Sequence, residues 1–242
     1  MSKHKFTYAP IVPLIGGEPL GVMEALDGQL PEYVLSYTPF ASNDSHYVNY
    51  LRTKKGWTGE YVVIDDPIFE NYKPKYVDVV MSTCPCAGLS SLSVSSSADS
   101  AVNEWLYTTA EFVLSQVGPK VFWGENAPRL FSNFGKKVAD KLFEIGQKYG
   151  YSLNLYYTES RLHGLAQKRP RTFYFFTKST EAPIFKYWDK EPVPIEDIFK
   201  KEVLNGDAMD VRVNEKDPTD NAWTAYALHI HGAKNLTELY EK

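Results

Sequence analysis

The stretch VDVVMSTCPCAGLS, residues 77–90, joins a short apolar run to a cysteine that follows a proline. Val77 to Met81 predict a buried strand, because a compact β-branched run bounded by turn-forming residues suits a parallel sheet covered on both faces. Pro85 ends the strand, since proline lacks the ladder N–H and its fixed φ directs Cys86 one way. A strand that delivers a candidate nucleophile predicts a site at the carboxyl edge of an α/β sheet.

The segment after Cys86, AGLSSLSVSSSAD, is small and rich in hydroxyl groups, which predicts a mobile loop that carries the cysteine over a ligand. The alternative is that Cys84 and Cys86 are two buried thiols of an ordinary core, where free cysteine is often found. Two further stretches favour the first interpretation. They are WGENAPRL, residues 123–130, and HGLAQKRPRTFYFF, residues 163–176.

The three stretches together resemble the motifs of the DNA cytosine-5 methyltransferase family, in that family's order. CPCAGLS resembles the proline-cysteine motif, with Cys86 at the nucleophile and Ser90 at the matching serine. WGENAPRL resembles the glutamate-asparagine-valine motif, although Ala127 replaces the valine, and Ala87 stands where most members carry glutamine. HGLAQKRPRTFYFF resembles the glutamine-x-arginine-x-arginine motif. The resemblance covers roughly residues 10–180.

The resemblance implies a DNA (cytosine-5-)-methyltransferase that transfers a methyl group from S-adenosylmethionine to C5 of cytosine. The Cys86 thiolate would add to C6 of a flipped-out base, which splits one hard step into easier ones. Glu125 would donate or share a proton at cytosine N3, and Asn126 would hold the loop of that carboxylate. Pro85 would line both the catalytic and the cofactor site.

The third motif supplies Gln167, Arg169 and Arg171. The resemblance implies that the planar arginine side chains contact a phosphate oxygen or the base O2, and that Gln167 bridges loops. A solvated basic turn is the alternative. Because the net charge is −4, DNA contact requires a local basic face, to which Lys168 and Lys178 also contribute.

The N-terminal part predicts a cofactor turn. Ile11–Ile15 predicts the first strand, which runs into Gly16 and Gly17 and then into a helix over Pro19–Leu26. This layout lets backbone N–H groups approach a cofactor, and the resemblance places Ile15 and the two glycines against S-adenosylmethionine. A purely structural turn is the alternative. The aspartate-x-phenylalanine-x-glycine run that the family places ahead of the glycines is absent from PIVPLIGG.

Two acidic positions follow the next predicted strands, Tyr33–Tyr37 and Tyr61–Ile64. Asp65 or Asp66, at the end of the third strand, would accept a hydrogen bond from the adenine amino group, and a turn before a proline is the alternative. After the second strand, Asn43–Asp44 would suit the ribose hydroxyls. A solvated loop is the favoured interpretation of that pair.

The remaining elements complete a doubly wound, mostly parallel α/β sheet of the S-adenosylmethionine-dependent methyltransferase, or Rossmann-like, type. They are a helix over Val102–Val117 capped by Asp99 or Ser100, a strand at Val121–Trp123, a helix over Ser132–Tyr149, and paired strands at Leu153–Tyr157 and Thr172–Phe176.

Residues 1–180 therefore predict the catalytic domain, and residues 181–242 a poorly defined extension that could begin a recognition region. Ile195–Lys201 is its one clear predicted helix. His229 and His231 indicate solvated positions rather than a metal site. Since neither a target-recognition region nor the family's last motif is recognisable, we expect a fragment, one chain completed by another polypeptide, or a divergent member.

Composition bounds the remaining possibilities. Two cysteines two residues apart and no leader-like start argue against secretion, and strand-sized apolar runs exclude a membrane span, so we expect a cytoplasmic protein of a bacterial or phage-infected cell, in a restriction-modification setting. The alternative functions are a catalytically weak or regulatory DNA-binding relative, or the same chemistry on RNA or with another one-carbon donor.

Overall fold

The computed structural model describes residues 6–65, 72–179, 182–184, 193–194 and 229–232. The chain divides into two compact units, Met1–Pro192 and Val193–Lys242, and the architecture below belongs to the first. The predicted domain boundary at residue 180 stays a prediction. The predicted helix Ile195–Lys201 lies outside the described residues.

Within the described ranges, seven strands form one sheet in the order β3-β2-β1-β4-β5-β7-β6. The strands are Tyr8–Ile11 (β1), Tyr33–Tyr37 (β2), Glu60–Ile64 (β3), Val79–Ser82 (β4), Val121–Asn126 (β5), Ser152–Glu159 (β6) and Pro170–Thr177 (β7). β1 to β5 pair in parallel, whereas β7 runs antiparallel to both β5 and β6. The predicted doubly wound, mostly parallel sheet is therefore confirmed.

Four α-helices connect these strands: Gly17–Ala25 (α1), Ala41–Lys55 (α2), Glu104–Phe112 (α3) and Lys136–Lys148 (α4). α3 continues as a π-helical turn over Val113–Val117 and ends at Gly118, which adopts the left-handed conformation. Ser100 caps the turn that precedes α3, because its side chain accepts a hydrogen bond from the N–H of Val102. No helix in the described part of the chain has both the length and the apolar character needed to cross a bilayer.

The sheet is covered on both faces, as its apolar strands require. Val34 packs with Tyr47 and Leu51 of α2, whereas its neighbour Leu35 belongs to the larger cluster that includes Leu106 of α3. Successive strand residues point to opposite faces, so α2 and α3 lie on opposite sides of β2. The carboxyl edge between the two layers is where such a fold leaves room for a ligand.

The first strand differs from its prediction. The apolar pattern predicted a strand over Ile11–Ile15, but strand β1 ends at Ile11. Ile15 is 78% exposed. Val12 and Leu14 both adopt a φ of 52° and turn the chain out of the sheet. Pro10 lies inside β1. Because proline is rare in a central strand, the sequence favoured a strand that starts after Pro10.

The interpretation of Asn43–Asp44 as a solvated loop is wrong. Both residues lie in the first turns of α2, and Asp44 is fully buried. The segment ASNDSHYVNYLRTKK conceals this helix because only a narrow apolar stripe, with Tyr47, Val48 and Leu51 at its centre, faces the sheet.

Candidate catalytic site

The candidate site lies where β4 and β5 end side by side. Their register pairs Ser82 with Gly124, so the segment that starts at Thr83 leaves the sheet next to Glu125. A Cβ at position 124 would lie 2.3 Å from the Tyr174 hydroxyl oxygen and 2.4 Å from the Ser82 carbonyl oxygen. Only glycine permits this approach of the strands.

The two cysteines have different environments. Cys84 is buried, and its Sγ lies 3.1 Å from the Ser82 hydroxyl oxygen. Burial raises the pKa of the Cys84 thiol, which disfavours its thiolate form. Cys86 lies one residue beyond Pro85 and is partly accessible. Of the two thiols, Cys86 is therefore the one that a substrate can reach.

Glu125 and Arg171 form an ion pair across β5 and β7. The Arg171 Nε lies 3.1 Å from the Glu125 Oε2, and the two side chains are 19% and 22% exposed. The two atoms are not aligned as a hydrogen bond, and neither has another partner among the described residues. The attraction is therefore Coulombic, and both groups keep hydrogen-bonding capacity for a ligand.

Asn126 is fully buried at the end of β5. Its Oδ1 accepts a hydrogen bond of 2.8 Å from the N–H of Ala127, while its Nδ2 has no partner within the described residues. Glu125 and Asn126 belong to the strand itself, whereas the sequence predicted a loop after Trp123. Pairing with Phe173 and Thr172 of β7 fixes this backbone more firmly than a loop would.

Of the third motif, Gln167 to Arg171, only Arg171 contacts another site residue. Arg171 lies on β7 and contacts Glu125, but Gln167 and Arg169 are exposed on the loop before that strand. Both residues hold this loop through backbone atoms. The Ser160 hydroxyl donates to the Gln167 carbonyl oxygen and accepts a hydrogen bond of 3.0 Å from the Arg169 N–H. Their side chains remain candidates for contact with a substrate.

The serine-rich segment after Cys86 is anchored at both ends. Leu89 is fully buried, and the Ser97 N–H donates to the Gly88 carbonyl at 2.9 Å. Arg129 reaches back from beyond β5 and donates to the Ser96 hydroxyl at 3.0 Å. Leu92, by contrast, is 94% exposed at the tip. The sequence did not predict these anchors, and the mobility of the tip stays a prediction.

The predicted cofactor turn contains one glycine with a specific structural role. Gly16 adopts a φ of 90°, and a Cβ on it would lie 2.4 Å from the Tyr47 ring. Gly17 follows as the first residue of α1, with its N–H groups at the carboxyl edge of the sheet. Ile15 is exposed beside them. The turn therefore presents backbone rather than side chain to the crevice.

Sequence reasoning missed the support for this turn. The N–H of Leu14, a left-handed residue, donates to the Asp44 Oδ1 at 2.8 Å. Burial raises the pKa of Asp44, while hydrogen bonds from the Leu14 N–H and the Tyr61 hydroxyl oppose that rise. Asp44 thus acts on the shape of the turn rather than on a ribose, and an acid inside an unpredicted helix gave no signal of this role.

The second acidic position is partly described. Asp65 is exposed just after β3, and its Oδ1 accepts a hydrogen bond of 2.5 Å from the Thr38 hydroxyl, which follows β2. Asp66 lies outside the described residues. Asp65 is therefore at the correct edge for a cofactor, and its role with adenine stays a prediction.

Glu18, in the first turn of α1, is a site residue that the sequence did not reveal. Its Oε2 accepts a 3.0 Å hydrogen bond from the Thr83 hydroxyl, and its Oε1 is buried without a partner among the described residues. Burial raises the pKa of Glu18 to about 8; the Thr83 bond and the backbone N–H of Glu125 oppose this rise, and the charge of Glu125 adds to it. An acid in a first helical turn usually serves the helix dipole, which explains why it gave no signal.

A surface cleft of about 640 Å³ lies away from this site, between α3 and α4. Its charged residues are largely paired, as Lys137 is with Asp99 and Lys136 with Asp140. The described residues contain no group of three or more side chains that could hold a metal ion, and His229 and His231 are exposed.

Comparison with known proteins identifies the family. A model of the C-5 cytosine-specific DNA methylase family matches residues 29–238, whereas no curated protein matches the chain. Similar solved structures include three proteins. They are a prophage-encoded E. coli protein described as a DNA modification methyltransferase (20% identity, TM-score 0.58, 80% of this chain and 54% of that one), the Entamoeba histolytica methyltransferase EhMeth (10%, 0.55, 84% and 62%) and a variant of Spodoptera frugiperda DNMT2 (14%, 0.52, 82% and 61%).

At these identities the structural matches show the fold alone, and the chain spans 54% and 62% of the lengths of the first two. The family match covers most of the sequence, including all three motifs. The family match supports a methyltransferase. The chain belongs to the C-5 cytosine-specific DNA methylase family.

Proposed function

We propose that the protein transfers a methyl group from S-adenosylmethionine to C5 of cytosine in DNA, through a covalent bond between the Cys86 sulfur and C6. The observation that carries the proposal is the Glu125–Arg171 pair, which lies at the carboxyl end of β5 and the start of the antiparallel β7, beside the strand that precedes Cys86. A nucleophile, an acid and a cation at one sheet edge are the groups that this reaction needs.

Each group has a distinct task. Addition of the Cys86 thiolate to C6 pushes electron density onto the ring, and a proton from Glu125 at N3 relieves the charge that develops. After C5 has taken the methyl group, loss of the C5 proton to a base or water breaks the bond between C6 and the Cys86 sulfur and restores the aromatic ring. Arg171, which already lies 3.1 Å from the Glu125 carboxylate, would orient that side chain and offer N–H groups to the base O2. The buried Asn126 would fix the end of β5 through its bond to Ala127.

The residues at the carboxyl edge fit S-adenosylmethionine. Gly17 presents its backbone N–H at the start of α1, whereas the Gly16 N–H already donates to the Pro13 carbonyl at 2.8 Å. Asp65 supplies an exposed carboxylate, and Glu18 has a buried carboxyl oxygen without a partner in the described residues. An unpartnered acidic oxygen suits a positively charged ligand. When bound, S-adenosylmethionine supplies a methyl group on a sulfonium cation.

The target atom is inaccessible within a duplex, so the base must leave the stack at a cost of a few kcal/mol. The loop between Cys86 and Ser100 is the natural cover for a flipped base, because its ends are anchored while Leu92 and Val94 at its tip are exposed. Closure of this loop would exclude water from the reacting carbon.

Covalent trapping tests the proposal. A DNA duplex with 5-fluorocytosine at candidate sites should form a mass-detectable adduct with the wild-type protein and S-adenosylmethionine, but not with C86S. C84S should still form it, because Cys84 is buried. Wild-type protein that methylates DNA without any adduct would contradict the covalent route. Nucleoside mass spectrometry of treated DNA and RNA distinguishes the two substrates.

DNA is the proposed partner, and a second chain or further residues would supply target recognition. With a net charge of −4 and few exposed arginines such as Arg169, this chain should bind duplexes weakly and with a steep salt dependence. We further propose that the protein acts in the cytoplasm of a bacterial or phage-infected cell. Strong preference for one duplex in a competition assay with this chain alone would contradict the need for a complement.

A further inference from the structure

Glu18 occupies the crevice of the sheet. In the order β3-β2-β1-β4-β5, strands β1 and β4 are the adjacent pair from which the chain winds in opposite directions. Ligands of open α/β sheets bind at this switch point, outside the carboxyl ends of the strands. Glu18 follows β1, and its hydrogen bond goes to Thr83, which follows β4. The carboxyl group therefore spans the switch point itself.

The carboxyl group of Glu18 is only half satisfied. Thr83 donates to Oε2 at 3.0 Å, while Oε1 is buried and has no hydrogen-bond partner in the described part of the chain. A buried acid in this state is costly as an anion and prefers to be protonated. The pKa of Glu18 is accordingly raised to about 8, chiefly by burial.

No cation of the described chain compensates Glu18. The groups that face it are Cys84 after β4, Glu125 on β5 and Tyr174 on β7, all of which are neutral or acidic. The guanidinium of Arg171 is paired with Glu125. A positively charged ligand that entered the crevice would therefore supply the counter-charge that the Glu18 carboxylate lacks.

We infer that Glu18 is the residue that selects a positively charged donor: its carboxyl group is neutral in the free protein and ionises when a sulfonium ligand enters the crevice. The inference deepens the proposed function and rests on it. One proton leaves the carboxyl group for solvent as the ligand binds, so the buried site changes from one neutral group to a paired anion and cation.

The same carboxyl group would favour release of the spent donor. Methyl transfer leaves a neutral thioether, so the Glu18 carboxylate loses its counter-charge and takes up a proton again. The product then lacks the attraction that held the donor. Glu18 would thus discriminate S-adenosylmethionine from S-adenosylhomocysteine, which share the adenosine and the amino-acid ammonium and differ in the charged sulfur.

Calorimetry of the full chain at pH 7, in two buffers of different ionisation enthalpy, measures this proton. We expect S-adenosylmethionine to release about one more proton than S-adenosylhomocysteine does. E18Q keeps an oxygen for the Thr83 bond but cannot ionise. It should abolish the difference in proton release and lower the affinity ratio of the two ligands roughly tenfold.

Glu24 provides the matched control, since it lies on the same helix with an exposed side chain. E24Q should keep both the proton release and the ligand preference. T83V removes the hydroxyl that holds the carboxyl group but leaves the ionisable group, so it should lower affinity for both ligands while the extra proton persists. A purely structural Glu18 would make E18Q and T83V behave alike.

The outcomes separate the two proposals. Equal proton release for the two ligands, or an unchanged affinity ratio in E18Q, would overturn the role of Glu18 while leaving the methyltransferase intact. Absence of binding to either ligand at millimolar concentration would instead contradict the proposed function. Thermal melting of E18Q confirms that the variant is folded before either conclusion is drawn.

Discussion

The two halves of the sheet, one proposed for catalysis and the other for binding the methyl donor, are recognisable in different ways. The catalytic half, β4, β5 and β7 with the loop after Cys86, keeps the motif side chains and brings Glu125 and Arg171 into contact. The donor half, β1 to β3 with α1 and α2, carries the two glycines of the family's first motif without the run before them, and residues 12–16 form a tight turn with left-handed positions. One half is recognisable by side chains and the other by backbone shape.

The difference follows from what each half has to supply. A nucleophile, a proton donor and a guanidinium are particular chemical groups, so their residue types cannot vary. A cofactor cradle needs N–H groups at the correct positions, and several sequences can produce them. Here Leu14 holds a positive φ with the help of Asp44, a residue 30 positions along the chain. Sequence motifs therefore report on the catalytic half better than on the donor half.

The largest expected effect separates the two cysteines of the catalytic half. C86S should lower methyl transfer by at least roughly 10³-fold, because a hydroxyl is far less nucleophilic than a thiolate. C84S should retain activity, since the Cys84 thiol is buried against Ser82. Incorporation of labelled methyl groups into DNA measures both. The opposite result would show that the motif register is wrong.

Glu125 should have the next largest effect. E125Q should reduce turnover by roughly 10² to 10⁴, because the amide cannot supply the proton at N3, while S-adenosylmethionine affinity stays nearly unchanged. Single-turnover kinetics and calorimetry separate the two quantities. A loss confined to donor affinity would move Glu125 from the catalytic half to the donor half.

The pH dependence of stability tests the environment of Glu18 without any ligand. Because the folded protein raises the pKa of Glu18 from 4.5 to about 8, the folded state binds more protons between these values. Stability should therefore fall as pH rises from 4.5 to 8. E18Q should be more stable than wild type at pH 8.5, on the order of 3 kcal/mol, and much less so at pH 4.5. Urea unfolding of both, with E24Q as control, measures the difference; parallel pH profiles would contradict the raised pKa.

Asp44 should contribute to stability rather than to chemistry. D44A leaves the Leu14 N–H without its 2.8 Å partner in a buried site, which should cost about 1–3 kcal/mol of unfolding free energy. Chemical denaturation measures this loss. D140N, on the exposed face of α4, is the control and should change stability little. An unaffected D44A protein with lost donor binding would restore Asp44 as a ligand residue.

The limits of prediction follow the same division. Buried apolar runs such as Tyr33–Tyr37 gave the sheet, since their burial on both faces leaves a continuous signal. Glu125 and Arg171 were found because the resemblance names their residue types. Asp44 and Glu18 were missed because their roles depend on contacts with Leu14 and Thr83, 30 and 65 positions away. No local pattern encodes such a contact.

The smallest expected effect tests whether backbone shape alone defines the donor half. At Leu14 the φ of 52° is strained for leucine and free for glycine. L14G should therefore relieve strain while it loses side-chain packing and chain stiffness. The free energy of unfolding should change by no more than about 1 kcal/mol, and donor affinity should not change.

G16A is the opposite change, because its Cβ would lie 2.4 Å from the Tyr47 ring at a φ of 90°, and it should weaken both stability and donor binding. Calorimetry and thermal unfolding of the pair measure these outcomes. If L14G lost donor binding as severely as G16A, the leucine side chain itself would contact the ligand, and the donor half would depend on side chains as the catalytic half does.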